Sequence, residues 1–458
     1  VIEAARRGEW ATATGWLPPE ELTKTEIREF QVRAEVIRNL LLGEYGKLDP
    51  NGVQIRHVRV MNQLNLNHIT TTTPLVMKSC AFPEPITCTN ARLRELNLSE
   101  SALAGLHADG LHVDGDLFMR RSTVRGNDET GALVLRGAHI SGQLVLIGAR
   151  ITNGSGPALN ADTLHAKGGL FLASAELRGN GEDGTLRLKC AHISGQLDLD
   201  NAKVRNDSGP LLVLVETQVT EVLTLPTTVV CPTGGDWTWQ GPCAENARQA
   251  QLQRLEFPRL ARASWEEWLH LLVHHTKNYE PQPYQKLAAI ERTSGHEKNA
   301  REILIVQQDE LHRRTPKALG GWWAQLRHRF WGCVGRYGYR AHRLLFALLF
   351  LLILAGCTAY AAGQVPTGSG HYAAERTSLT STHPEGQGSR CSTVELIGLG
   401  IDRGLPLGAT GLRARCDLDT AVGWGKGFTL ALWVLQALVW AFATLALAAY
   451  TGLIRKPA

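Results

Sequence analysis

A leucine pair, L-x-L, returns at a fixed interval through the first half of this chain, and that period restricts the fold more than any other feature. The leading leucine stands at Leu117 (with Met119 as its mate), Leu144, Leu170, Leu197 and Leu223, at intervals of 27, 26, 27 and 26 residues. A second series at Leu133, Leu159, Leu186 and Leu212 runs beside it at 26, 27 and 26, with Ala161 once replacing the second leucine. Small and branched residues follow each pair, as in Ala138 and Ile140, Ala149 and Ile151, Ala175 and Leu177, and Ala191 and Ile193. The heptad AHISGQL occurs at Ala138 and again at Ala191, two periods apart. Self-similarity at one period marks a solenoid, in which a single coil buries little and the stack supplies the core.

Upstream the unit is shorter. From Ala91 the chain reads ARLRE, LNLSE, SALAG, LHADG and LHVDG, tandem pentapeptides centred on Leu93, Leu98, Leu103, Ala108 and Val113. The residues two before those centres are Ala91, Leu96, Ser101, Leu106 and Leu111. Neither a helix nor a flat strand requires a five-residue period, so the expected coil has four short sides with Leu, Ala and Ile stacked inside. Inserts at 125–131 (RGNDETG), 152–157 (TNGSGP), 178–184 (RGNGEDG) and 205–210 (RNDSGP) are predicted to bulge from one edge. Gly, Asn and Asp suit turns through positive φ and local hydrogen bonds, and their loosely spaced carboxylates read as turn residues rather than a calcium cage. Residues 28–43 place apolar side chains three and four apart and stop at Gly43, which predicts an amphipathic helix capping the stack. The expected organisation is a helical cap over 1–50 and a solenoid over 51–226.

The second half has a different character. Leu344 to Gly363 and Phe428 to Tyr450 hold 20 and 23 residues without a charge, each long enough to cross a hydrocarbon core. From His312 to Arg343 there are eight Lys or Arg and no Asp or Glu, with Trp322, Trp323, Phe330, Trp331, Tyr337 and Tyr339 among them. Arg455 and Lys456 follow the second apolar run. Basic flanks outside both runs predict that both termini face the cytosol, with 364–427 on the far side of a bacterial inner (plasma) membrane. The expected order is a helical linker at 227–318, a basic aromatic segment at 319–343, transmembrane helices at 344–363 and 428–450 around an extracytoplasmic loop at 364–427, and a tail at 451–458. Within the linker, residues 245–314 read as helices, with a hairpin turning at Ser294-Gly295.

Nine cysteines in 458 residues do not suggest a disulfide-built secreted fold. Val1 to Arg7 opens an ordinary polar helical stretch with no charged-then-apolar leader, so the solenoid is expected in the cytosol. Cys391 and Cys416 are the two cysteines predicted to meet an oxidising compartment, and a disulfide between them is expected. Cys80 and Cys88 follow the inward phase of the repeat and read as core residues. Cys231 and Cys243 flank a Gly-Trp-rich stretch in which the sequence shows no second metal-ligand pair.

The pentapeptide phase at 91–115 resembles pentapeptide-repeat proteins, which implies a right-handed four-sided β-solenoid. The helical cap with RAEVIRNLLLGE, the repeats, PYQKLAAIERTSGHEKNARE, the juxtamembrane YGYR and the final TGLIRK are similar to chiefly actinobacterial proteins labelled membrane-associated oxidoreductases. That resemblance implies no catalytic residue. No G-x-G-x-x-G opens a strand-turn-helix unit and no C-x-x-C occurs, so no cofactor is expected and the reading leans away from an enzyme. No catalytic residue is singled out.

One constellation stands apart. His112, His139, His165 and His192 hold the same place in four successive coils, and are expected to form an outward column with neighbours about 4.8 Å apart, one sheet spacing. Such a column could bind metal or gain charge as pH falls, although imidazoles alone fit a surface ladder better than a catalytic centre. The leading functional expectation is a membrane-anchored scaffold with a protein partner on its solenoid, the lipid bilayer as its second partner, and room for homo-oligomers. A two-span conductance or signalling device comes second, and an oxidoreductase third. A formal charge of +5 argues against the strongly acidic solenoids that mimic DNA, and no nucleic-acid partner is expected.

Overall fold

The computed structural model describes residues 1–232, 248–368, 370–376, 389–405 and 415–450. It divides into two units, Val1–Gln307 and Gln308–Ala458.

In the first unit the leading leucine of each pair in the two series starts a short strand, except Leu223, which is the second residue of Val222–Thr224. Leu144–Val145 lies between Leu117–Phe118 and Leu170–Phe171, parallel and in register with both. Parallel pairing at one-coil separation satisfies the backbone of each strand from the coils on either side, which is why strands of two residues suffice. The chain visits four parallel sheets in turn, here named A (10 strands), B (8), C (7) and D (6). A short coil runs from Arg92–Leu93 in sheet D through Leu96–Asn97 in A, Ala102–Leu103 in B and Leu106–His107 in C, and returns to D at His112–Val113. All five pentapeptide centres and the five residues two before them are buried. The first two residues of each polar insert extend a sheet B strand and the rest form the corner before sheet C, so the longer period adds residues at one corner and leaves the register intact. Leu96, Leu117, Leu144, Leu170, Leu197 and Leu223 form one interior column.

Glycine is required where sheet D turns into sheet A. A Cβ on Gly168 would lie 2.7 Å from the backbone of Gly142, and one on Gly195 would lie 2.9 Å from the backbone of Gly168. The stacked coils touch backbone to backbone at this corner, which explains the glycine of the SGQL repeat.

The unit starts with helices α1 (Ile2–Arg7), α2 (Pro19–Leu22) and α3 (Ala34–Leu41). The helix expected over 28–43 is shorter than its pattern. Arg28–Phe30 forms a 3-10 turn and Gln31–Arg33 a strand paired with Arg59–Met61, so only Ala34–Leu41 is α-helical. An open edge of sheet B offers backbone donors and acceptors, and pairing there outweighs the local helical period. Ala11–Thr12 likewise extends sheet A.

At the other end, strands continue past the expected boundary at 226. Ala250–Gln251 joins sheet C, Glu256 bridges to Gln218 of sheet D, and Arg259–Ala261 joins sheet A. These residues had read as helical. Ala250, Leu252, Leu255 and Phe257 are buried, and the five-residue step from Ala250 to Leu255 to Leu260 is the pentapeptide phase again, hidden by the polar residues between. Three helices follow: α4 (Trp265–His274), started by a Ser264–Glu267 capping box, α5 (Pro281–Thr293) and α6 (Glu297–Arg314). Gly295, at a φ of +83°, lies in the turn between α5 and α6, where the hairpin was expected.

The second unit contains α7 (Trp322–Gly335), α8 (Ala341–Ala362), α9 (Thr393–Gly404) and α10 (Gly423–Tyr450). Among the described residues, two helices are long and apolar enough to cross a membrane, His342–Ala362 and Gly423–Ala448. They are antiparallel: Leu344 packs with Ala446, and the stripe of Ala355, Ala359 and Ala362 packs with Leu432 and Leu435. Small side chains on that stripe allow close backbone approach. Helix α9 does not stay beyond the end of α8. A Cβ on Gly400 would meet the backbone of Gly356 at 2.7 Å, and one on Gly404 would meet Leu352 at 3.4 Å. Leu396 crowds Gly363 in the same way, so α9 runs back along the C-terminal half of α8.

Candidate functional site

The four histidines stand in register on sheet D, between Arg92 at one end and Gln218 at the other. All four are exposed. The rings of His112 and His139 stack at 4.7 Å with 4° between planes, and those of His139 and His165 at 4.6 Å with 2°. His192 tilts away, at 6.0 Å and 26°. Each of the first three places Nδ1 against a carbonyl two residues back, on Gly110, Gly137 and Thr163, at 3.0, 3.0 and 3.1 Å. An Nδ1–H donating there turns Nε2 outward. That contact depends on the turn before sheet D, where Gly110, Gly137, Thr163, Cys190 and Glu216 all adopt a left-handed φ between 54° and 63°.

This geometry decides what the column can do. Rings stacked parallel at 4.6 and 4.7 Å, each with its Nδ1 against a backbone carbonyl, carry their Nε2 atoms side by side and do not aim them at one point, so neighbouring imidazoles do not converge on a zinc ion. The column is instead a flat aromatic strip with a row of imidazole nitrogens along it.

The strip ends in a groove of about 430 Å³ lined by His165, Cys190, His192, Glu216, Arg254 and Glu256 among others. Arg254 pairs with Glu216 at 2.8 Å, and the Cys190 thiol donates to Glu216 at 3.5 Å. The Arg254 hydrogen bond holds the Glu216 carboxyl below its ordinary range. Desolvation first, and then the neighbouring Glu216, push the Cys190 thiol up. A thiol so placed is a poor nucleophile at neutral pH, so the groove offers hydrogen bonds and charge rather than covalent chemistry. Cys80 and Cys88 are fully buried, and burial pushes both thiols up to about 12.

A third cluster joins residues that the sequence leaves far apart. Cys231, His270 and His275 are all buried and bring their ligand atoms within 4.8 Å of one another. The sequence reading paired Cys231 with Cys243 and found no second ligand pair. Cys243 lies outside the described residues, but the second pair is His270 on α4 and His275, the residue that caps its C-terminus, with four residues between them. The signal was present in HLLVHH and was hidden by the 39-residue gap from Cys231.

In the second unit Cys391 and Cys416 are disulfide-bonded, with 6.3 Å between Cα atoms. Nearby, Arg376 pairs with Glu395 at 3.1 Å, and Arg403 of α9 pairs with Asp417. Around the start of α8, Arg329, Arg336 and Arg343 line a pocket of about 520 Å³ with Asp309, His312 and Tyr337. Tyr337 donates to Asp309 at 2.8 Å, and burial raises its phenol further above the usual range. The chain matches no protein-family model, no curated protein and no solved structure.

Proposed function

We propose that this chain is a membrane-anchored scaffold, with a solenoid that presents sheet D to a protein partner at the cytosolic face of a bacterial plasma membrane. The observation that carries the reading is the exposed apolar surface of α8 and α10. Phe346 is 69% exposed, Phe350 64% and Trp433 59%, and their neighbours Leu345, Ile353, Val434 and Leu447 are also exposed. A belt of that size needs lipid around it. Arg329, Arg336 and Arg343 beside α8 suit anionic headgroups, and the basic flanks support cytosolic termini.

In this reading the solenoid is right-handed and four-sided, and residues 1–50 cap its first coil. The imidazole strip and the adjoining groove form the docking face, because a flat aromatic strip beside paired charges offers both contact area and orientation. The test has two arms. Impermeant thiol reagents on intact cells should label engineered cysteines in 370–376 and spare those in 125–210; labelling of the solenoid inserts from outside refutes the topology. Cross-linking from detergent-solubilised membranes should recover a partner that His139→Ala/His165→Ala loses; equal recovery refutes sheet D as the docking face.

A second reading, a two-span conductance, is favoured by α9 alone. A helix that returns along a membrane-spanning helix, with Asp402 buried and Arg403 ion-paired, has the form of a half-helix at a transport site. Ion flux into proteoliposomes, abolished by Arg403→Gln, would support it; impermeable proteoliposomes would refute it.

A further inference from the structure

We infer that Cys231, His270 and His275 form a structural zinc site that pins α4 onto the last coils of the solenoid. The three side chains come from two places in the chain, the segment after the 3-10 turn Thr227–Val229 and the C-terminal end of α4 with its capping residue His275. All three are buried: Cys231 is 5% exposed, His270 4% and His275 0%. A thiolate and two imidazoles are the donor set that zinc prefers in structural sites, and a His-x4-His spacing on or beside one helix suits it.

His275 is the most telling member. Its Nδ1 lies 2.8 Å from the carbonyl of Arg248, so Nδ1–H donates there and Nε2 keeps its lone pair. That Nε2 is buried and has no hydrogen-bond partner among the described residues. An orphaned buried acceptor is costly to leave unpaired, and a ring fixed by a backbone carbonyl is the usual outer support of a metal-bound histidine. The His270 and His275 rings are 5.5 Å apart, tilted by 47°, so they converge rather than stack, in contrast to the column on sheet D. Ligand atoms around a tetrahedral zinc are about 3.3–3.6 Å apart. The 4.8 Å limit on the present spacing therefore leaves a closure of about 1 Å, within the reach of small side-chain rotations.

Cys231 is disulfide-bonded in this structure, and that state excludes zinc. The site forms once a dithiol reductant gives two electrons and two protons to the disulfide, yielding two thiols and its own disulfide. Zinc then displaces the proton of Cys231 to solvent and takes Sγ and the lone pairs of two neutral imidazoles.

The location gives the site its role. Arg248 hydrogen-bonds the carbonyls of Val204 and Val229, and the Ala250 N–H donates to the His275 carbonyl at 2.7 Å. Cys231, the Ala250–Gln251 strand and α4 thus meet at the point where the repeat ends. A solenoid terminus lacks the next coil to cover it, and a metal there joins the covering helix to the stack.

The test uses the full chain, purified in detergent under a dithiol reductant with zinc present. One zinc per chain by mass spectrometry of the metal is expected. Cobalt(II) exchange should produce a thiolate-to-metal charge-transfer band, which Cys231→Ser abolishes while the circular dichroism of the solenoid is retained. Because variants could misfold, the cobalt spectrum of the unmodified reduced chain is decisive by itself. Absence of both zinc and the charge-transfer band in that reduced protein overturns the inference. So does a cobalt spectrum unchanged in folded His270→Gln/His275→Gln protein.

Discussion

Removing Leu170 from the interior column tests the stacking argument most directly. Leu170 is fully buried in sheet A, in register with Leu144 on one side and Leu197 on the other. Leu170→Ala deletes buried methyl groups and leaves a hole whose upper and lower walls are the Leu144 and Leu197 side chains of the adjacent coils. The strands that carry those leucines are fixed by their own ladders, so the hole collapses little. The cost is then in the upper part of the usual range for such truncations, about 3–5 kcal/mol. Phe171 is the internal control. It is the next residue on the same strand, faces the other way and is half-buried, so Phe171→Ala should cost about 1 kcal/mol. Coils couple chiefly to their neighbours, so the loss should be read locally. Hydrogen exchange of the detergent-solubilised chain should show amides of 144–150 and 197–204 exchanging about a hundredfold faster in Leu170→Ala, the equivalent of about 3 kcal/mol. Equal effects for Leu170→Ala and Phe171→Ala would refute the inward phase of the L-x-L pair, and with it the reading of every coil.

Gly168→Ala places a methyl group against the backbone of Gly142, and should destabilise the solenoid by about 1–3 kcal/mol in urea titration, whereas Gly321→Ala, with open space around it, should not. Cys80 and Cys88 titrate at about 12 in the fold against 9.0 for the free thiol, so their contribution is fully present below pH 9 and is lost as pH rises from 9 towards 12. Thermal scans should therefore show a falling midpoint over that window, reduced in Cys80→Ala/Cys88→Ala, and at pH 8 neither thiol should react with iodoacetamide until the protein unfolds.

The sequence alone determines the solenoid and the two apolar helices, because both are written as local, repeated patterns. A fixed 26–27-residue period admits few structures other than a stack, and the buried set follows from its phase. An uncharged run of 20 residues is similarly self-sufficient. Tertiary structure decides what happens where the pattern stops. Residues 31–33 carry a helical period, yet become a strand because sheet B has an open edge beside them. Residues 250–261 belong to the stack, and only pairing with sheets C and A reveals it. Helix α9 has an ordinary amphipathic sequence, and its course along α8 depends on Gly400 and Gly404 meeting the small residues of that helix. The same division holds for the candidate sites. The histidine column is legible because register repeats it coil after coil, though only the ring geometry shows that adjacent imidazoles cannot share a metal. Cys231, His270 and His275 are brought together by the closing of α4 over the last coil, a contact between segments that no local period connects.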